Sequence, residues 1–130
     1  MSAFTVELKN QPGELARLCE AMAAHDVNLV LCGTSRADTG TVAFIAEDES
    51  AARTVLEALG VDFTDRPALT VRMENTPGTG AATFRTLANA NVNMELFLPV
   101  RVSDEHLFAV IAVDDVDAAS VALGDQVVTA

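Results

Sequence analysis

The sequence predicts an α+β fold made of two ferredoxin-like βαββαβ units in tandem, each an antiparallel sheet with both helices on one face. Two observations carry that prediction. First, Asn10-Gln11-Pro12-Gly13 and Val27-Asn28-Leu29 recur as Asn75-Thr76-Pro77-Gly78 and Val92-Asn93-Met94, each pair of positions 65 residues apart in a chain of 130. Second, the period of the apolar residues alternates along each half between two, the period of a strand, and three to four, the period of a helix. The order of these segments is that of the split βαβ unit. Residues 1–66 are expected to form the first domain and 67–130 the second.

In the first half, Phe4-Thr5-Val6-Glu7-Leu8-Lys9 alternates apolar and polar, as a half-buried strand does. Asn10 to Gly13 breaks it. Pro12 suits the first helical position, where a missing N–H costs nothing, and Asn10 or Gln11 can cap. Leu15, Leu18, Cys19 and Met22 then recur at helical spacing as far as His25-Asp26. Val27 to Thr34 reads as the second strand, Ala37-Asp38-Thr39-Gly40 as a hairpin and Thr41 to Ala46 as the return strand. Glu47-Asp48-Glu49-Ser50 places acids at a helix start, where the helix dipole favours them. Ala51, Ala52, Val55, Leu56 and Leu59 form that helix's apolar stripe, and Gly60 stops it. Val61 to Asp65 is a short fourth strand, expected to end at Arg66-Pro67.

The second half repeats the plan. Ala68 to Met73 is its first strand, and Ala81, Phe84, Leu87 and Ala88 are read as its first helix stripe. Val92 to Val102 contains Pro99, which points to an edge strand or a bulge. Beyond the Ser103-Asp104-Glu105 hairpin the match moves to 66, as one residue inserted in the hairpin would cause. Ala118 to Leu123 is a shorter second helix, and Val127-Val128-Thr129 is the remnant of a fourth strand.

Composition excludes several functions. The net charge is −11, with one lysine, Lys9, and seven arginines. A chain this acidic lacks the basic footprint that nucleic acid or an anionic membrane requires. No apolar run is long enough to span a bilayer, and residues 1–7 do not resemble a secretion signal. Cys19 and Cys32 form no metal-ligand pattern and read as small core residues, the first in the helix stripe and the second in a buried strand. Free thiols without an export signal point to the cytoplasm. His25 and His106 have no nucleophile or metal-ligand partner nearby in sequence, and no cofactor motif is present. The expectation is therefore a protein that is not an enzyme, with no catalytic residues, no metal and no cofactor.

The repeated turn is the feature with chemistry. Asn-x-Pro-Gly is good turn and cap material in its own right. The first turn of a helix also carries unpaired N–H groups and partial positive charge, which suit a carboxylate. Gly13 and Gly78 let a ligand approach the backbone, and asparagine oxygens can accept from an ammonium group.

A βαββαβ unit with an Asn-x-Pro-Gly turn, a helix and then Val-Asn-hydrophobic resembles the ACT domain. The likeness covers nearly the whole chain as two copies, and in the first copy extends to Pro-Gly-Glu-Leu. The resemblance implies an allosteric regulatory protein that binds a small amino acid where paired ACT units meet. It also implies a homodimer and a partner enzyme of amino-acid metabolism regulated in trans. If units pair through their second strands, the first site combines Asn10, Gln11, Pro12, Gly13, Glu14 and Leu15 with Asn93 and Met94. The second combines Asn75, Thr76, Pro77, Gly78 and Thr79 with Asn28 and Leu29. The first keeps the fuller motif, and Leu15, Leu29 or Met94 would favour an apolar amino acid of modest size. The alternative is an interaction module or regulatory small subunit with vestigial ligand sites.

Overall fold

The computed structural model describes residues 1–129 and divides into two compact units. The first is Ser2–Asp65; the second runs from Arg66 onward and includes Met1. The first unit contains β1 (Ser2–Lys9), α1 (Glu14–Ala24), β2 (Leu29–Arg36), β3 (Thr39–Ala46) and α2 (Glu49–Leu59). Then β4 (Asp62–Glu74) leads into α3 (Thr79–Asn89), β5 (Met94–Val102), β6 (His106–Val113), α4 (Val116–Leu123) and a 3-10 turn at Gly124–Gln126. The expected stop at Arg66-Pro67 does not occur, because β4 continues through it. Proline's fixed φ suits extended backbone and biases the residue before it the same way, so Arg-Pro here prolongs a strand.

In the first unit, β3 lies between β2 and β1, all antiparallel. Phe4, Val6 and Leu8 of β1 and Val42 and Phe44 of β3 pack against Leu18 and Met22 of α1 and Ala52, Val55 and Leu56 of α2. The Phe4 and Phe44 rings stack with centroids 5.2 Å apart. In the second unit, β6 lies between β4 and β5. Val71, Met73, Ala109, Ile111 and Val113 meet Leu87, Ala119 and Leu123. Each unit thus buries one sheet face under two helices. The fourth strand of the second unit is reduced, as expected, to one bridge between Val127 and Val71 and a hydrogen bond from Val128 N–H to Thr70 O.

Several expectations about side-chain placement need correction. Leu15 is exposed and Cys19 only half-buried, so the inward face of α1 is Leu18 and Met22. Their partners 65 residues on, Thr83 and Leu87, form the buried face of α3, in place of Ala81, Phe84 and Ala88. The Thr83 hydroxyl satisfies its hydrogen bonding with Gln126 Nε2 at 3.1 Å, which lets a polar residue stand where the first unit has leucine. Phe84 stays partly exposed and meets Phe97 edge to face. Cys32 is exposed, because β2 is an edge strand and Cys32 points away from the core face that Leu29 and Leu31 share.

The two halves keep a constant offset of 65 only as far as β5. Leu8 pairs with Gly40 and Met73 with Leu107, so β3 and β6 are offset by 67 rather than 66. The extra residues are in β5, where the register slips between Met94 and Leu96 and again between Pro99 and Arg101. Each slip is a bulge that adds one residue to the strand. The β2–β3 and β5–β6 hairpin loops are equivalent in length, and Pro99 sits in an edge strand beside a bulge, as its missing N–H requires.

Helices α2 and α4 begin at Asp48 and Asp115, whose carboxylates accept from Ala51 N–H (3.0 Å) and Ala118 N–H (2.9 Å). Asp48→Ala should therefore cost about 0.5–2 kcal/mol in a denaturant unfolding series. Arg53 of α2 pairs with Asp65 and lies over the Phe4 ring. Burial acts to raise the Asp65 carboxyl. Hydrogen bonds from Arg53 and Ser2 and the Arg53 charge outweigh it and hold the group below its ordinary value. A carboxyl lowered by folding stabilises the protein above its unfolded pKa and loses that contribution as pH falls through the folded one. Thermal scans below about pH 4 should show wild type losing stability more steeply than Asp65→Asn.

Candidate functional site

The turn between β1 and α1 is held by Asn10. Its backbone N–H donates to Asp38 O and its side-chain Nδ2 to Ala37 O, each at 2.9 Å, which fastens the turn to the β2–β3 hairpin. Asn75 repeats this, with its N–H to Glu105 O at 2.9 Å and Nδ2 to Ser103 O at 2.8 Å. In both cases the amide oxygen remains available as an acceptor.

Neither asparagine caps the helix. The cap positions of α1 and α3 are Gly13 and Gly78, at φ 89° and 92°. Pro12 precedes the cap instead of starting the helix. The left-handed backbone that only glycine takes without strain places the chain reversal at Gly13. Glu14 N–H makes a long 3.4 Å bond to Gln11 O, and Arg17 N–H bonds Gly13 O. No partner for the Leu15 and Ala16 N–H groups is present among the described residues. The same holds at Gly80 and Ala81 of α3, where the Thr76 and Thr79 hydroxyls bond each other at 2.9 Å. The first helix of each unit thus has no side-chain cap, and the second is capped by an aspartate.

Beside the α1 terminus is an open cleft of about 360 Å³. Asn10, Gln11, Glu14 and Leu15 line it from the turn; Gly33, Ser35, Gly40 and Val42 line it from the hairpin. Leu15 is 42% exposed, an apolar side chain left at the edge of this space. Glu14 is turned toward Arg17 at 3.4 Å. The hairpin residues escape a sequence reading centred on the turn; the signal for them was a pair of glycines inside otherwise strand-like segments.

Asn28 and Leu29 lie at the other end of α1, a helix about 16 Å long. There Asn28 O accepts from Glu47 N–H at 3.2 Å, and its side chain reaches the Glu47 carboxylate at 3.5 Å. Asn93 is tied in the same way: its N–H donates to Asp114 Oδ1 at 2.9 Å and its carbonyl accepts from Asp114 N–H at 3.1 Å. Met94 packs against the second core. Within each unit, then, the Val-Asn segment knots the start of one strand to the end of its neighbour and does not reach the turn. The second turn has a different neighbour. Thr79 borders a polar cleft of about 300 Å³ with Arg72, Glu74, His106 and Gln126.

The His25 ring sits at the C-terminus of α1, its Nδ1 3.1 Å from Ala21 O. No group of three or more metal-ligating side chains occurs among the described residues, and no helix there is long and apolar enough to cross a membrane.

No family model matches the chain, and no curated protein matches it. Solved structures do. Protein BT0572 of Bacteroides thetaiotaomicron superimposes with a TM-score of 0.80 at 23% identity, over 97% of this chain and 88% of that one. The ligand-free regulatory subunit of aspartate kinase from Thermus thermophilus gives 0.67 at 20% identity, over 94% and 87%. Aspartate kinase from Synechocystis gives 0.57 at 24%, over 99% of this chain but 26% of the enzyme. At these identities the likeness is one of fold. The fold is that of the aspartate kinase regulatory subunits, and the ACT resemblance of the sequence holds at that level.

Asn10→Ala removes the side-chain tether to the hairpin. An exposed neutral hydrogen bond is worth about 0.5–1.5 kcal/mol, so chemical denaturation should show a loss of that order. Asn75→Ala should show a similar one.

Proposed function

We propose that this chain is a non-catalytic regulatory protein of the ACT type, with residues 1–66 and 67–130 as its two ACT domains. It binds a small α-amino acid at the first turn and passes the binding state to an enzyme of amino-acid metabolism in trans. The observation that carries this reading is the contrast between helix starts. Asp48 and Asp115 cap two helices with a side-chain oxygen, while Gly13 and Gly78 leave the other two without a side-chain cap at the repeated motif.

An open terminus offers the Leu15 and Ala16 N–H groups and the helix dipole to a carboxylate. The free oxygen of Asn10 accepts from the ammonium group, and the adjoining cleft takes the side chain. The fold shared with regulatory subunits of aspartate kinase supports a controlling rather than a catalytic role. Exposed edge strand β2 favours a homodimer, since an uncovered edge invites pairing with another chain.

Thermal denaturation against each of the proteinogenic amino acids tests the reading. A binder should raise the melting temperature with dose, adding about 2.7 kcal/mol when present at 100 times its Kd. The corresponding amine without its carboxylate should have no such effect. If no amino acid shifts the transition, the protein is an interaction module instead.

A further inference from the structure

We infer that Gly33 and Gly40 hollow out the first unit's cleft to seat the side chain of the bound amino acid, selecting a mid-sized aliphatic one. This rests on the amino-acid-binding reading above. Both glycines lie within antiparallel strands, on the face that carries the core. Gly33 pairs with Val42 and Gly40 with Leu8, and Leu8 and Val42 are both core residues.

The backbone does not require glycine at either place. Gly13, Gly60, Gly78 and Gly124 have positive φ; Gly33 and Gly40 do not. A Cβ built on Gly33 would come no closer than 3.6 Å to Thr41 O and 3.8 Å to Val42 Cγ2. On Gly40 the nearest atoms would be Leu8 O at 3.6 Å and Thr34 O at 4.0 Å. These are ordinary contacts, so alanine fits both positions. Glycine weakens a strand interior, and where neither torsion nor crowding demands it, the remaining use is the space it leaves.

The second unit shows the same positions filled. With the β5 bulges taken into account, Pro99 occupies the place of Gly33, opposite Ala109, and Leu107 the place of Gly40, opposite Met73. Leu107 packs onto the second core. The helix side is exchanged as well, for Gly80 stands where the first unit has Leu15. A Cβ on Gly80 would meet Phe84 and Met73 side chains at 3.6 and 4.0 Å. The hollow is therefore particular to the first unit. Leu8, Leu15 and Val42 supply its aliphatic surface, while Lys9, Glu14, Ser35 and two threonines supply polar lining; the aliphatic part suits the side chain of valine, leucine, isoleucine or methionine.

Calorimetric titration of the full chain tests this with Gly33→Ala, Gly40→Ala and the double variant, using those four amino acids together with glycine and alanine. The variants should melt at or above the wild-type temperature. Affinity for the four aliphatic amino acids should fall tenfold or more, and that for glycine or alanine should change less. Binding of the four at wild-type strength by the double variant would overturn the inference and leave the amino-acid-binding reading standing. Failure of the wild type to bind any amino acid would overturn both.

Discussion

The paired hydrogen bonds of Asn10 are the constraint on which the first turn depends. One asparagine uses its backbone and side-chain N–H groups on adjacent hairpin carbonyls, Asp38 O and Ala37 O. With Nδ2 bonded to Ala37 O the side chain is anchored on the hairpin, and it makes no bond to the start of the helix. The chain must still reverse between the strand end and α1, and Gly13 does this in the left-handed region. Glycine has no side chain with which to cap. Fastening the turn and leaving the helix open are thus consequences of a single arrangement, and Asn75 with Gly78 reproduces it.

The distribution of caps fits a division of labour. A side-chain cap contributes about 1 kcal/mol, a sizeable amount for a unit of roughly 65 residues with a small core. Asp48 and Asp115 supply it at the second helices, which face no cleft of the repeated motif. At the first helices the same contribution is absent in both units. An N–H left without a protein partner costs little at the surface, where water can serve it, and remains open to a stronger acceptor. Charge-assisted bonds to a carboxylate are about twice as strong as neutral ones, so the open end is the place where an anion gains most.

Much of the fold was legible because the repeat supplied each assignment twice. Strand alternation in Phe4 to Leu8, the Asp48 start and Gly60 stop of α2, and the edge character of the Pro99 strand follow from local chemistry alone. What was not legible has physical causes. The bulges of β5 lie in an apolar run, where an added residue leaves the composition unchanged, and only the pairing partners disclose it. Small apolar residues can mimic a stripe: Ala81 and Ala88 are apolar yet outside, while Thr83 is polar yet inside because Gln126 meets its hydroxyl. Arg66-Pro67 looked like the end of a strand, but in extended backbone proline breaks nothing unless its N–H is needed. Of the candidate site, the turn was readable from its motif. Its hairpin wall was not, since Gly33 and Gly40 come into place through strand register, which two separate stretches of sequence do not reveal.

The two units show what divergence does to such a register-built space. A cleft between a turn and a hairpin is closed by bulk on either wall, and volume lost on one side can be compensated on the other, as in any well-packed interior. The first unit has bulk on the helix wall, at Leu15, and none at Gly33 and Gly40. The second has Pro99 and Leu107 on the hairpin wall and Gly80 on the helix. A leucine left 42% exposed at a helix start is a cost that core packing does not explain, and the strand glycines are a second such cost in the same place. Both are removed together in the copy where the wall is filled. Two unfavourable choices that border one space in one copy, and are both reversed in the other, have a common cause in that space.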